Sequence, residues 1–86
     1  MTAHFSKDFK KELNALPTKH QEQFLKRLDI FLKNPYHPIL NNHKLGGKLE
    51  GMRSVNVTGD IRAIYQEINK TNVLFLMIGS HGKLYQ

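Results

Sequence analysis

Eighty-six residues with no cysteine allow one small domain, spanning 1–86, and exclude disulfides and thiolate metal sites as staples. Its 13 Lys and Arg outnumber 7 Asp and Glu, for a net charge of +6 spread along the chain, which favours a polyanionic partner, nucleic acid or an acidic protein. The longest apolar run, residues 73–78, is too short for a membrane span or signal peptide, so a soluble cytoplasmic protein without membrane contact is expected.

The chain opens with a short strand-like stretch, Thr2 to His4. Ser6 then has the character of an N-cap, with Phe9, Leu13 and Leu16 following at helical spacing until Pro17 ends the helix. Thr18 and Gln21 have capping-box spacing and start a second helix. In it Phe24, Leu25, Leu28, Phe31 and Leu32 form one broad apolar stripe, and Asn34-Pro35 stops it. A turn-rich connection runs to His43. From Lys44 the period changes to two, although Gly46-Gly47 predicts a weak or bent strand over 44–49. In the next strand, Arg53 to Thr58, Val55 and Val57 share one face while Ser54 and Asn56 share the other. Gly59-Asp60 signals a tight turn, and Ile61 to Ile68 is the following strand. After a turn at residues 69–72, Val73 to Ile78 reads as a central strand buried on both faces. Gly79 is expected to break it, before a last short turn over Ser80 to Tyr85. These elements predict an α+β fold: an N-terminal helical hairpin packed on a twisted antiparallel sheet of three to four strands. The other sheet face stays open for function.

Arg62 shares a strand face with Ile64, and an arginine in an apolar strand needs an anion, either Asp60 or Glu67 internally or a phosphate from outside. Arg53 has the same two options, with Glu50 or Asp60 as internal partner. His81 follows a buried strand and a glycine, where a rigid element can hold a proton-transfer group; capping the strand end is the alternative. His43 is equally open, and His4, His20 and His37 read as surface residues. A zinc site lacks convergent ligands, since His37 and His43 share a loop with no carboxylate at ligand spacing. Gly46-Gly47 lacks the Lys-Ser/Thr of a P-loop, and Ser6, Ser54 and Ser80 lack a nucleophile elbow, which argues against ATP and serine hydrolysis.

The pattern His43-Lys-Leu-x-Gly47, Gly51-x-Arg53, Gly59-Asp60-x-Arg62-x-Ile-Tyr65 and Ile78-Gly-Ser-His81-x-x-Leu-Tyr85 resembles the RelE/ParE toxin superfamily, and most nearly its YafQ-type branch. The resemblance covers nearly the whole chain. It implies a RelE-like fold and an endoribonuclease, independent of metal or cofactor, that cuts mRNA on the ribosome and is silenced by a cognate antitoxin protein; no small-molecule ligand is expected. Carried over by position, His43, Asp60 and His81 match acid/base residues and Tyr85 an aromatic near the scissile nucleotide. Arg62 matches a catalytic arginine of the RelE-type motif. Asn56 and Met77 depart from the branch, standing where it can have a histidine and a phosphate-binding arginine. The expected roles are His81 as general acid, Asp60 or His43 as base, and Arg62 with Arg53 against phosphorane charge. Lys44, Lys48 and Lys83 would lie along the RNA backbone. A ParE-like DNA gyrase inhibitor, and a degenerate toxin acting only as a binding or repressor subunit, are the alternatives.

Overall fold

The computed structural model describes residues 1–85. Its elements are β1 (Thr2–Phe5), α1 (Lys7–Ala15), α2 (Thr18–Lys33), β2 (His43–Lys44), β3 (Arg53–Asn56), β4 (Ile61–Glu67), β5 (Asn72–Ser80) and α3 (His81–Leu84), with 3-10 turns at Pro38–Leu40 and Gly47–Leu49. The strands form one five-stranded sheet in the order β1-β5-β4-β3-β2. Its sheet is mixed, not wholly antiparallel, because β1 pairs with β5 in parallel through Thr2↔Asn72 to Phe5↔Phe75. Returning α1 and α2 over one face lets the first strand lie beside the last in the same direction.

Ser6 caps α1 as its residue type predicts. Its Oγ accepts from Phe9 N–H at 3.0 Å and donates to Leu76 O at 3.1 Å. Leu76 is the extra residue of a bulge, since Ile64 faces Met77 while Tyr65 faces Phe75. The helix cap therefore also satisfies a carbonyl beside the bulge. The expected capping box on α2 does not form. Pro17 takes the cap position without a side-chain bond, and the Gln21 side chain instead donates to Leu16 O and Asn14 O.

Phe9, Phe24 and Phe31 leave the helices to meet Val55, Ala63, Tyr65 and Phe75 from the sheet, and all are buried. The Phe75 ring lies 5.3 to 5.8 Å from those of Phe5, Phe9, Phe24, Phe31 and Tyr65, within the range of favourable aromatic pairs. The apolar stripe of α2 is narrower than its sequence indicates: Leu25 and Leu32 are exposed, while Ile30 packs against the core.

Three local expectations change in the second half. The strand expected over 44–49 is reduced to His43–Lys44, and Gly47 (φ 60°) then starts a 3-10 turn. Gly79 does not break β5, which continues to Ser80; the turn beyond it is α3, capped by Ser80 Oγ, which accepts from Lys83 N–H at 3.2 Å. β5 is buried on its helix side, but Leu74, Leu76 and Met77 are only half-buried.

The face away from α1 and α2 is also less open than expected. Ser54 and Ile64 point to it, opposite each other in the β3–β4 register, and both are 0 % exposed. Leu84 of α3 lies over it near Gly79, where a Cβ would stand 3.6 Å from the leucine Cδ2.

Candidate functional site

The turn between β3 and β4 and the start of α3 build one end of the site. Thr58 Oγ1 accepts from the N–H groups of Asp60 and Ile61, closing the Gly59-Asp60 turn. The Asp60 carbonyl in turn accepts the His81 N–H at 3.0 Å. Asp60 and His81, 21 positions apart in the chain, are thus locked together through the backbone, and both side chains are exposed. His81 opens α3 and Tyr85, four positions on, caps its end, with ring centroids 4.6 Å apart.

Arg62 stands beside them, opposite Gly79 on β5 and Asn56 on β3. Neither acidic residue considered for it is its partner. Its Nη1 donates to the carbonyls of Thr58 (3.1 Å), Gly59 (3.0 Å) and Ile61 (3.4 Å), so the turn itself orients the guanidinium. Backbone dipoles hold the charge in place without neutralising it. Among the described residues Nε and Nη2 have no hydrogen-bond partner, which leaves two donor groups for an anion.

His43 comes to the same face from the edge of the sheet. It opposes Ser54, which opposes Ile64, and directly opposed residues share a face. Two strand spacings, about 10 Å, separate β2 from β4. His43 Nδ1 lies 2.8 Å from Asn41 O. A carbonyl can only accept, so Nδ1 carries the proton and Nε2 of the neutral ring keeps its lone pair. After β2 the chain turns back toward α3. Gly46, Lys48 and Leu49 on one side and Leu84 and Tyr85 on the other enclose a cleft of about 410 Å³.

The basic residues divide between surfaces. Lys48 is in that cleft with Tyr85. Lys44 opposes Arg53, which opposes Tyr65, so both lie on the helix-side face, opposite to His43. There they line a second cleft of about 360 Å³ with Glu50 and Glu67. Arg53 Nε donates to Asn42 Oδ1 at 2.8 Å, and its guanidinium sits 5.4 Å from the Tyr36 ring centroid. Neither Glu50 nor Asp60 is its partner. Lys83 borders a third cleft, against Asp8, Lys11 and Glu12 of α1.

Asn42 was not legible as a site-building residue. Its amide donates to Pro35 O (2.9 Å) and Tyr65 OH (2.8 Å) while its oxygen accepts from Arg53. Asn41-Asn42 signals only a turn in the sequence. Ser54 Oγ and Asn56 Oδ1 are buried on the site's face without a partner among the described residues. His20, expected at the surface, is half-buried, with its Nδ1 also unpartnered. Among the described residues no cluster of three or more His, Asp or Glu is arranged to hold a metal ion, and no helix is long and apolar enough to cross a membrane.

The family model described as bacterial toxin of type II toxin-antitoxin system, YafQ, matches residues 1–86. Among solved structures the fold is similar to YafQ from E. coli strain BL21(DE3), at 19 % identity over 99 % of this chain and 98 % of that one, with a TM-score of 0.82. The E. coli DinJ–YafQ toxin–antitoxin complex matches at 24 % identity, covering 99 % and 97 %, with a TM-score of 0.74. A YoeB/ParE toxin from Agrobacterium tumefaciens matches at 13 %, covering 94 % and 99 %, with a TM-score of 0.77. No curated protein matches the sequence significantly.

Proposed function

The chain belongs to the YafQ family of toxins of type II toxin–antitoxin systems, and from that premise we propose that it is an endoribonuclease that cuts mRNA on the ribosome through the substrate's own 2′-hydroxyl. The observation that carries this reading is the backbone lock between Asp60 and His81, which sets an exposed imidazole against an aromatic ring and beside an arginine with two donor groups that have no partner among the described residues. A protein that only binds a partner has no need of that arrangement.

The chemistry needs two proton transfers and one charge stabiliser. His43 Nε2, the lone-pair nitrogen of its tautomer, takes the proton from the 2′-hydroxyl. The 2′-oxygen attacks the adjacent phosphorus, and the bond from phosphorus to the 5′-oxygen breaks. The His81 imidazolium gives its proton to the departing 5′-oxygen, leaving a 2′,3′-cyclic phosphate and a 5′-hydroxyl. Arg62 faces the charge that accumulates on the phosphorane, held in advance by the turn carbonyls. Asp60 orients His81 through its carbonyl and keeps its carboxylate at the mouth of the site. Tyr85 offers a face for stacking a base, and Lys48 beside it a charge for the backbone. Lys44, Arg53 and Lys83 lie outside this cleft and serve the wider polyanion surface. Met77, half-buried opposite Ile64, brings no charge, so Arg62 carries the phosphate contact from the sheet. The partner that silences the protein is a cognate antitoxin, as the DinJ–YafQ complex of a structural relative supports.

Induced expression in bacteria lacking an antitoxin, with mRNA 5′ ends mapped, tests the reading. Wild type should arrest growth and cut within translated codons. His81→Ala should lose about 10²–10⁴-fold of the cleavage, the usual contribution of a general acid, with its circular dichroism unchanged. Arrest without cuts would favour gyrase as target. Unchanged cleavage by the folded variant would remove His81 from the mechanism.

A further inference from the structure

We propose that Asn42 is a positioning residue for the reaction, holding His43 in place through a clamp that runs from the core to the sheet edge; the inference rests on the nuclease reading above. His43 is exposed, on a strand of two residues at the edge of the sheet. The pairs His43↔Ser54 and Lys44↔Arg53, with one bond beyond them from Leu45 N–H to Met52 O at 3.0 Å, tie that strand to its neighbour. So short an edge strand opens easily by itself, yet proton abstraction needs a base fixed within a fraction of an ångström.

The rigidity comes from the two residues before it. Asn41 adopts the left-handed conformation (φ 45°, ψ 48°), which asparagine tolerates better than most residues. Its carbonyl then reaches back to His43 Nδ1 at 2.8 Å and fixes the tautomer. Asn42 commits its whole side-chain amide. Nδ2 donates to Pro35 O and to Tyr65 OH, and Oδ1 accepts from Arg53 Nε. Each partner is itself anchored. Tyr65 is 2 % exposed, with its ring edge-on to Phe31 at 5.0 Å. Arg53 belongs to β3 and sits over Tyr36. Strand alternation turns Asn42 toward the helix side while His43 faces the site. The clamp therefore pulls on the backbone next to the base without entering the substrate's space. Arg53, from this position, acts in the clamp.

A double-mutant cycle on the purified, full-length protein tests this, with single-turnover cleavage of mRNA on programmed ribosomes for wild type, Asn42→Ala, His43→Ala and the pair. Asn42→Ala should lower the maximal rate about 10–100-fold, the effect of a misplaced reacting group. The half-saturating ribosome concentration should stay within about twofold. In the His43→Ala background Asn42→Ala should add no further loss, because its effect passes through the imidazole. Should Asn42→Ala fail to fold, Asn42→Asp keeps the acceptor for Arg53, loses the donor to Tyr65 and Pro35, and should show a partial rate loss with the same non-additivity. Wild-type rates in a folded Asn42 variant, or a full multiplicative loss on top of His43→Ala, would overturn the inference while leaving the nuclease reading standing. A wild-type protein that cuts nothing would overturn both.

Discussion

Tyr65 is where core and site meet. Burial, its largest influence, pushes the phenol pKa above its usual value of 10.0, against the opposing pull of the Asn42 hydrogen bond and the Arg53 charge. A group whose folded pKa is raised contributes stability that is complete below its unfolded pKa and lost as pH rises through the folded value. Resistance to urea should therefore carry the full, pH-independent contribution of Tyr65 below about pH 10, then fall above it until the folded phenol is forced to ionise. Tyr65→Phe should lack that component of the alkaline fall; an identical fall in both proteins would show that the buried phenol does not govern it. The two strand arginines teach a related point. Alternation in the sequence places Arg62 on the face of Ile64, but neither strand arginine meets the internal carboxylate expected for it. Carbonyl oxygens of a tight turn, an asparagine amide and an aromatic face fill that role. Such partners leave no mark in charge spacing, so the carboxylates nearest in sequence are misleading.

At the scale of elements, signals local to a few residues were readable and those made by distant partners were not. Ser6, Pro17, the Asn34-Pro35 stop and the Gly59-Asp60 turn all end or start elements where their backbone chemistry requires. The parallel pairing of β1 with β5 joins residues 70 apart and rests on four residues with no strong pattern of their own. The length of β5 depends on Ser80 and α3 beyond it, so Gly79 alone could not reveal it. Ser6 shows how one side chain serves two elements, capping α1 and satisfying Leu76 beside the bulge. Ser6→Ala should cost about 1–2 kcal/mol in urea unfolding, as for loss of a cap plus a partly buried acceptor's partner. A loss below about 0.3 kcal/mol would mean water replaces both bonds, against a typical cap contribution of about 1 kcal/mol.

For the whole molecule, the helices and the phenylalanine cluster make a rigid slab whose far face carries the chemistry. That layout follows from apolar periodicity, and the sequence motifs place Asp60, Arg62, His81 and Tyr85 at one end of it. The burial of Ser54 and Ile64, and the division of Lys44, Arg53 and Lys83 from the cleft beside Tyr85, arise from strand register and the placement of α3. Those are tertiary outcomes, set by Leu84 packing near Gly79 and by strand register, not by any local pattern. The central claim is that this face cleaves RNA by transfer to the 2′-oxygen, with His81 supplying the leaving-group proton. Its most direct test is the chemistry of the new ends when the purified protein acts on mRNA in programmed ribosomes. A 2′,3′-cyclic phosphate upstream and a 5′-hydroxyl downstream, formed by wild type and lost with His81→Ala, is the predicted result. A 5′-phosphate on the downstream product, or intact mRNA in the presence of folded protein, would contradict it.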